Sequence, residues 1–177
     1  MTENFTIRKA EKSDALEFAA CHISAWQSAY RGIIPDEFLA KLPDSLERRI
    51  EQFLEWFNSP NAFYYVPAYN GKIIGKLVLW DSRDEDKPNT GEIGGIYLLE
   101  EYWNRGFGRQ MMNFALNKLG TMGYKEIFLW VLEENTRARQ FYEKCGFATD
   151  GAKKEITIGK PLVEIRYVLA IEHIDLY

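Results

Sequence analysis

Between residues 92 and 132 the chain spells out a unit that admits few folds. "EIGGIYLL" (92–99) is a short apolar run of strand length, and "KEIFLWVL" (125–132) is a second. From Gly106 to about Met122, Phe107, Met111, Phe114, Ala115 and Leu119 recur at helical spacing. A strand, a helix and a strand joined by short turns make a right-handed crossover, and strands joined in that way lie parallel. The chain therefore needs a sheet at its centre with at least one helix laid across a face.

The remaining segments supply more of both. "NFTIRKA" (4–10) alternates as a first strand. Ser13 is placed to cap a helix from Asp14 to about Tyr30, whose apolar stripe is Leu16, Ala19, Ile23, Trp26 and Tyr30. Gly32 breaks it and Pro35 opens another helix. A third helix is expected from about Asp44 to Asn58. Then the period falls to two. "AFYYVPAY" and "KIIGKLVLW" flank Asn70-Gly71, the dipeptide favoured in two-residue hairpin turns. After the polar loop 82–91 and the crossover unit, a short helix runs from about Asn135 to Cys145, closed by Gly146. Two strands follow, at about 147–158 and 162–170. This order predicts an α/β mixed sheet covered by helices on both faces. The length, 177 residues with no repeat or linker, suits a single domain over 1–177.

Composition narrows the function classes. A net charge of -4 argues against a nucleic-acid binder, which presents a basic face. No apolar run approaches the roughly 20 residues of a membrane span. The opening "MTENFTIRKAEKSD" lacks the apolar core of a signal peptide. Cys21 and Cys145 are the two cysteines and form no C-x-x-C pair, so they read as free thiols of a cytoplasmic protein. With two histidines and no cluster around them, no metal site is expected.

The turn that starts the crossover helix is chemically distinctive. In "EEYWNRGFGRQMM", Gly106 and Gly108 alternate with Arg105, Phe107 and Arg109. The first amides of a helix lack intrahelical partners and carry its positive end. Glycine lets a backbone approach an anion closely, and arginine adds charge. A phosphate cradle and a tight loop with solvated arginines both fit these residues. Among nucleotide sites, a P-loop would need a Lys-Ser/Thr pair that is missing. A dinucleotide fingerprint would need a third glycine where Met111 stands, although Glu133 ends the next strand near the position of a ribose-binding acid. Coenzyme A, which also carries a pyrophosphate, is the third reading.

The order of the neighbouring pieces decides among them. "GEIGGIYLLEEYWNRGFGRQMM" followed by "NTRARQFYEKCGF" resembles the GCN5-related N-acetyltransferase (GNAT) family, and the resemblance extends from "FTIRKAEKSDA" to "VEIRYVLAI". It implies a mostly antiparallel, twisted sheet of about seven strands with one splayed parallel pair. It also implies acetyl-CoA as co-substrate. In the family the turn reads R/Q-x-x-G-x-G/A. Arg105, Gly106, Phe107, Gly108 and Arg109 match it, whereas Trp103 stands where Arg or Gln is usual and Asn104 where glycine is common. Backbone amides make most of these contacts, so pyrophosphate binding is expected to survive the departure. The adjacent glycines of the preceding strand fit either a crowded crossing or a close backbone approach. On the resemblance, the backbone of Ile96, Tyr97 and Leu98 bonds the pantetheine arm and forms an oxyanion hole.

The resemblance also assigns roles. Tyr142 becomes the acid that protonates the departing thiolate, and Phe141 its core neighbour. Asn135, by itself a helix cap, also bonds the pantetheine. Glu92 is the first choice for the base that takes the ammonium proton, with Glu133 and Glu134 as alternatives. His22, structural or exposed in its helix, and His173 in the tail are poorer candidates. Cys145 could form an acetyl-enzyme but reads better as a small core residue. Trp26 and Tyr30, on the packing stripe of the first helix, are the expected acceptor contacts. The acceptor is then a small-molecule or peptide amine. The family often dimerises, which marks the C-terminal strands as a homodimer contact. A non-catalytic acyl-CoA-binding regulator and an NAD(P)-dependent oxidoreductase are the competing functions.

Overall fold

The computed structural model describes residues 4–171. In chain order the elements are β1 (Phe5–Lys9), α1 (Ala15–Ala29), α2 (Asp36–Ala40), α3 (Leu46–Trp56), β2 (Ala62–Tyr69), β3 (Lys72–Ile73), β4 (Gly75–Asp81), β5 (Gly91–Leu98), α4 (Phe107–Thr121), β6 (Glu126–Leu132), α5 (Thr136–Lys144), β7 (Ala148–Ile158) and β8 (Lys160–Ala170). The sheet runs β1-β2-β4-β5-β6-β8-β7, with β3 on the side of β2. It has eight strands rather than about seven, because the second arm of the Asn70-Gly71 hairpin divides at Ile74. Asn70 (φ 49°) and Gly71 (φ 82°) both take the left-handed conformation that the tight hairpin turn requires.

Side-chain alternation splits the sheet between two cores. Leu77, Leu79, Ile93, Ile127, Leu129, Ile165 and Tyr167 face α4 with its Met111, Met112, Ala115 and Leu119. Tyr64, Val66 and Val78 face the other way, onto Phe18 of α1 and Phe53 of α3. The helices lie on both faces, as the periodicity predicts. The start of α1 departs from expectation. Ser13 reaches only the exposed Glu11 carboxylate, and a capping box holds the turn before α1: the Glu11 side chain accepts the Asp14 amide, while Asp14 accepts the Glu11 amide at 2.7 Å and is clasped by Arg8. A carboxylate that accepts an amide and a guanidinium together outcompetes a hydroxyl one residue away. Two 3-10 turns, Lys12–Asp14 and Leu42–Ser45, absorb the first residues expected in α1 and α3.

All neighbouring strands are antiparallel except β5 and β6. These two are parallel, in register only at Gly91 with Ile127 and Glu92 with Phe128. Beyond Glu92 they part. A bulge at Val78/Leu79 of β4, opposite Gly94, turns β5 away. Gly94 has no room for a side chain: a Cβ there would sit 2.3 Å from the ring of Trp80. At Gly94 this is the crowded crossing, against a tryptophan of the neighbouring strand.

Candidate active site

The parting of β5 and β6 opens a cavity of about 570 Å³. One wall is β5 from Glu92 to Leu98, and the opposite wall is Trp130, Val131 and Leu132 of β6. Gly106, Gly108 and Arg109 of the turn into α4 close one end, and Asn135, Ala138, Phe141 and Tyr142 of α5 form a side. Trp26 of α1 and Tyr30, which follows that helix, also line the cavity, as do Arg83, Lys154 and Glu164. Elements far apart in sequence thus converge where the sheet splits.

The turn has the conformation its glycines suggested. Gly106 caps α4 at φ 82°, and Asn104 is also left-handed at φ 58°. A Cβ on Gly106 would meet nothing within 4 Å, so the space above the helix terminus is open. The two arginines lie differently. Arg109 lines the cavity and is steadied by its bond to the Lys144 carbonyl at 2.8 Å. Arg105 turns back onto Tyr69, Tyr102 and Phe107, donating to the Tyr69 hydroxyl at 3.1 Å. Phe107 is buried, stacked on Phe5 at 4.6 Å. Phe107 thus belongs to the core, whereas Arg105 lies exposed along the ring cluster.

Trp103, the departure from the expected motif, has a structural role. Its indole Nε1 donates to the Leu98 carbonyl at 3.0 Å, and the Arg137 guanidinium lies 3.3 Å from its ring centre. The Leu98 carbonyl, expected to be open to a ligand, is therefore already bonded. Ile96 and Tyr97 pair with Leu77 and Lys76 of β4 on one side and face the gap on the other.

The Tyr142 ring packs near Phe147 and Tyr167, and the residue lines the cavity. Burial pushes the Tyr142 hydroxyl well above its usual pKa, and the nearby Tyr97 pushes it further, so it keeps its proton at neutral pH. Asn135 caps α5, its side-chain oxygen accepting the Ala138 amide at 3.1 Å, and it also lines the cavity. Tyr30 and Tyr97 join hydroxyls at 2.8 Å. Sequence reasoning assigned Tyr97 only a backbone role. Its side chain is a wall of the site because it points to the α1 face, opposite Lys76.

Glu92 is at the cavity but is not free. Arg83 grips it with two bonds, Nε to Oε2 at 2.9 Å and Nη2 to Oε1 at 2.5 Å. Of the alternatives, Glu133 bonds the Lys153 ammonium at 2.7 Å and Glu134 that of Lys160 at 3.4 Å, both at the surface and away from the cavity lining. His22 is partly buried against Trp26 and Tyr97, not exposed, and takes Arg49 Nη1 on Nδ1 at 2.8 Å. A guanidinium only donates, so Nδ1 is unprotonated, in keeping with the burial that drives this imidazole's pKa down. His173 lies outside the described residues. Burial raises the pKa of Cys145 and so suppresses the thiolate an acetyl-enzyme would need. Arg83, Trp130, Lys154 and Glu164 escaped the sequence reading because neither of the two motif runs contains them, and Arg137, inside "NTRARQFYEKCGF", was given no role. Among the described residues, no helix is long and apolar enough to cross a membrane.

Comparison with known proteins places this geometry. The profile described as Acetyltransferase (GNAT) family matches residues 26–147. An uncharacterised N-acetyltransferase of Bacillus subtilis, YuaI, is 28% identical over 132 residues, 73% of either chain. The fold is similar to that of the PaiA N-acetyltransferase of Thermoplasma acidophilum, solved with coenzyme A. The TM-score is 0.74 at 19% identity, covering 95% of this chain and 99% of that one. It is also similar to yncA of Salmonella typhimurium, solved with its cofactor acetyl-CoA. That TM-score is 0.71 at 17% identity, covering 97% and 96%.

Proposed function

The chain belongs to the acetyltransferase (GNAT) family, and from that premise we propose that it moves the acetyl group of acetyl-CoA directly to a primary amine held in the same cavity. The observation that carries this reading is the split of β5 from β6 after Glu92, with the open terminus of α4 at one end and Tyr142 at its side.

The residues fit the coenzyme. Gly108 lines the cavity beside Phe141 and Leu98. The unpaired amides at the start of α4, together with Arg109, suit the pyrophosphate. The gap-facing edge of Ile96 and Tyr97 suits a pantetheine arm, and Asn135 stands across from it. Bound there, acetyl-CoA supplies an activated thioester carbonyl.

The chain's own groups handle the protons. Tyr142 Oη, kept protonated by burial, donates to the departing sulfur. Glu92 accepts the proton of the acceptor ammonium once Arg83 yields its hold. Trp26 and Tyr30 wall the acceptor end and exclude water.

Calorimetric titration with acetyl-CoA, with NADH as control, combined with thiol release across a panel of amines, tests the proposal. One acetyl-CoA bound per chain and amine-dependent thiol release are expected. Tight binding without release on any amine would mean a coenzyme-binding regulator instead. Preference for NADH would remove the cleft assignment.

A further inference from the structure

The acceptor end of the cavity is lined by two ion pairs of the same polarity. Arg83 holds Glu92 bidentately, and Lys154 Nζ lies 3.2 Å from Glu164 Oε2. In each pair the acid is the deeper partner. The side chains of Glu92 and Glu164 are 4% and 22% exposed, those of Arg83 and Lys154 53% and 43%. Both cations rest on indole faces, Arg83 at 4.8 Å from the ring centre of Trp80 and Lys154 at 4.1 Å from that of Trp130. The loop carrying Arg83 is anchored as well. Arg166 binds Asp84 and Asp86 of that loop and Asp150 of β7. The cations are therefore presented in fixed places, with capacity for further acceptors on their solvent side.

Acid at depth and cation at the mouth match a ligand with the opposite order. We propose that the acceptor is a zwitterion, an amine bearing a carboxylate or a similar anion within a few bonds of its ammonium. Glu92 receives the ammonium and Arg83 the anion, with Lys154 a second cation on the cavity wall. This deepens the transfer reading and rests on it. An anion on Arg83 competes with Glu92 for the same fork, so recognition of the right acceptor also loosens the base. A polyamine gains nothing from the mouth and is repelled there.

Pairs that differ only in the carboxylate test this: L-phenylalanine with phenethylamine, L-leucine with isoamylamine, L-histidine with histamine, and spermidine as the polycation. Each is titrated into the protein saturated with coenzyme A, and each is assayed for thiol release with acetyl-CoA. At least one amino acid is expected to bind about tenfold or more tightly than its decarboxylated partner, as the loss of one charge-assisted bond implies. Lys154→Gln should raise KM for the amino acid by a larger factor than KM for the decarboxylated amine. Arg83→Gln alone strands the buried Glu92, so Arg83→Gln/Glu92→Gln is the paired control, expected to abolish the preference in the binding assay. No advantage for any zwitterion, or a preference for spermidine, overturns the proposal. Selective zwitterion binding without thiol release would leave recognition standing and remove the transfer reading.

Discussion

The hydroxyls of Tyr30 and Tyr97 meet at 2.8 Å across the seam between α1 and the splayed strand β5. Burial pushes Tyr30 well above the ordinary tyrosine pKa and raises that of Tyr97, so both remain neutral and one donates to the other. Tyr30→Phe removes one partner of a buried pair and should cost about 1–3 kcal/mol in chemical denaturation. Tyr64 is the contrast. Its hydroxyl is buried with no hydrogen-bond partner among the described residues. Tyr64→Phe should be neutral or stabilising, because it removes a polar group that burial leaves unsatisfied. Equal losses for the two variants would contradict the hydrogen-bond assignment.

Tyr142→Phe keeps a ring against Phe147 and Tyr167 and removes only the proton donor. If Oη is the acid, kcat should drop by about 10²–10⁴-fold on the best acceptor, with acetyl-CoA affinity changed less than threefold. Rapid-quench turnover beside calorimetry separates the two quantities. Unchanged turnover assigns the proton to another group.

Lys76 is a buried ammonium on β4, close to the rings of Phe18 and Tyr97. Burial first, and Arg49 second, lower its pKa to about 7. In the unfolded chain the amine titrates near 10.4. Its penalty on folding is thus complete below about pH 7 and fades as pH rises toward the unfolded value. Lys76→Met should stabilise the protein by a few kcal/mol at pH 6–7, and the gain should shrink steadily by pH 10. Urea melts across that range check it, and a gain independent of pH would show that packing, not charge, is responsible.

Gly106 needs a positive φ but has no neighbour that a methyl group would strike. Gly106→Ala should therefore cost about 1–2 kcal/mol of stability for the left-handed conformation, lowering Tm by a few degrees. If an anion occupies the space above that backbone, acetyl-CoA affinity should fall by more than tenfold in the still-folded variant. A Tm shift with undiminished affinity would move the pyrophosphate elsewhere.

Much of this was legible in the sequence because each feature had a local cause. The crossover followed from two apolar runs and a helical stripe, and the hairpin from Asn70-Gly71. Tyr142 and Asn135 came from a motif whose residues are adjacent in the chain. The acceptor end was not legible. Arg83, Trp130, Lys154 and Glu164 come from a loop and three strands, and only the pairing of β6, β7 and β8 brings their side chains to one face. The reach of Arg105 and Trp103 was equally hidden. A cation in a glycine turn looks like a ligand contact alone, and nothing in the sequence signalled that Tyr69, Tyr102 and Phe107 would lie alongside it. Trp103 spends its indole on a backbone carbonyl that sequence reasoning left open.

The brief register of β5 with β6 has a mechanical side. Within the sheet, Gly91–Ile127 and Glu92–Phe128 are the rungs that join the β1–β5 half to the half built from β6, β8 and β7. Such a seam is a zipper fastened at one end, and amides along its open edge should exchange with solvent faster than those of β4 or β8. A ligand lying in the gap takes the place of the missing rungs and ties the halves together. Occupancy of this cleft would then register as stiffness throughout the sheet, including strands the ligand never touches.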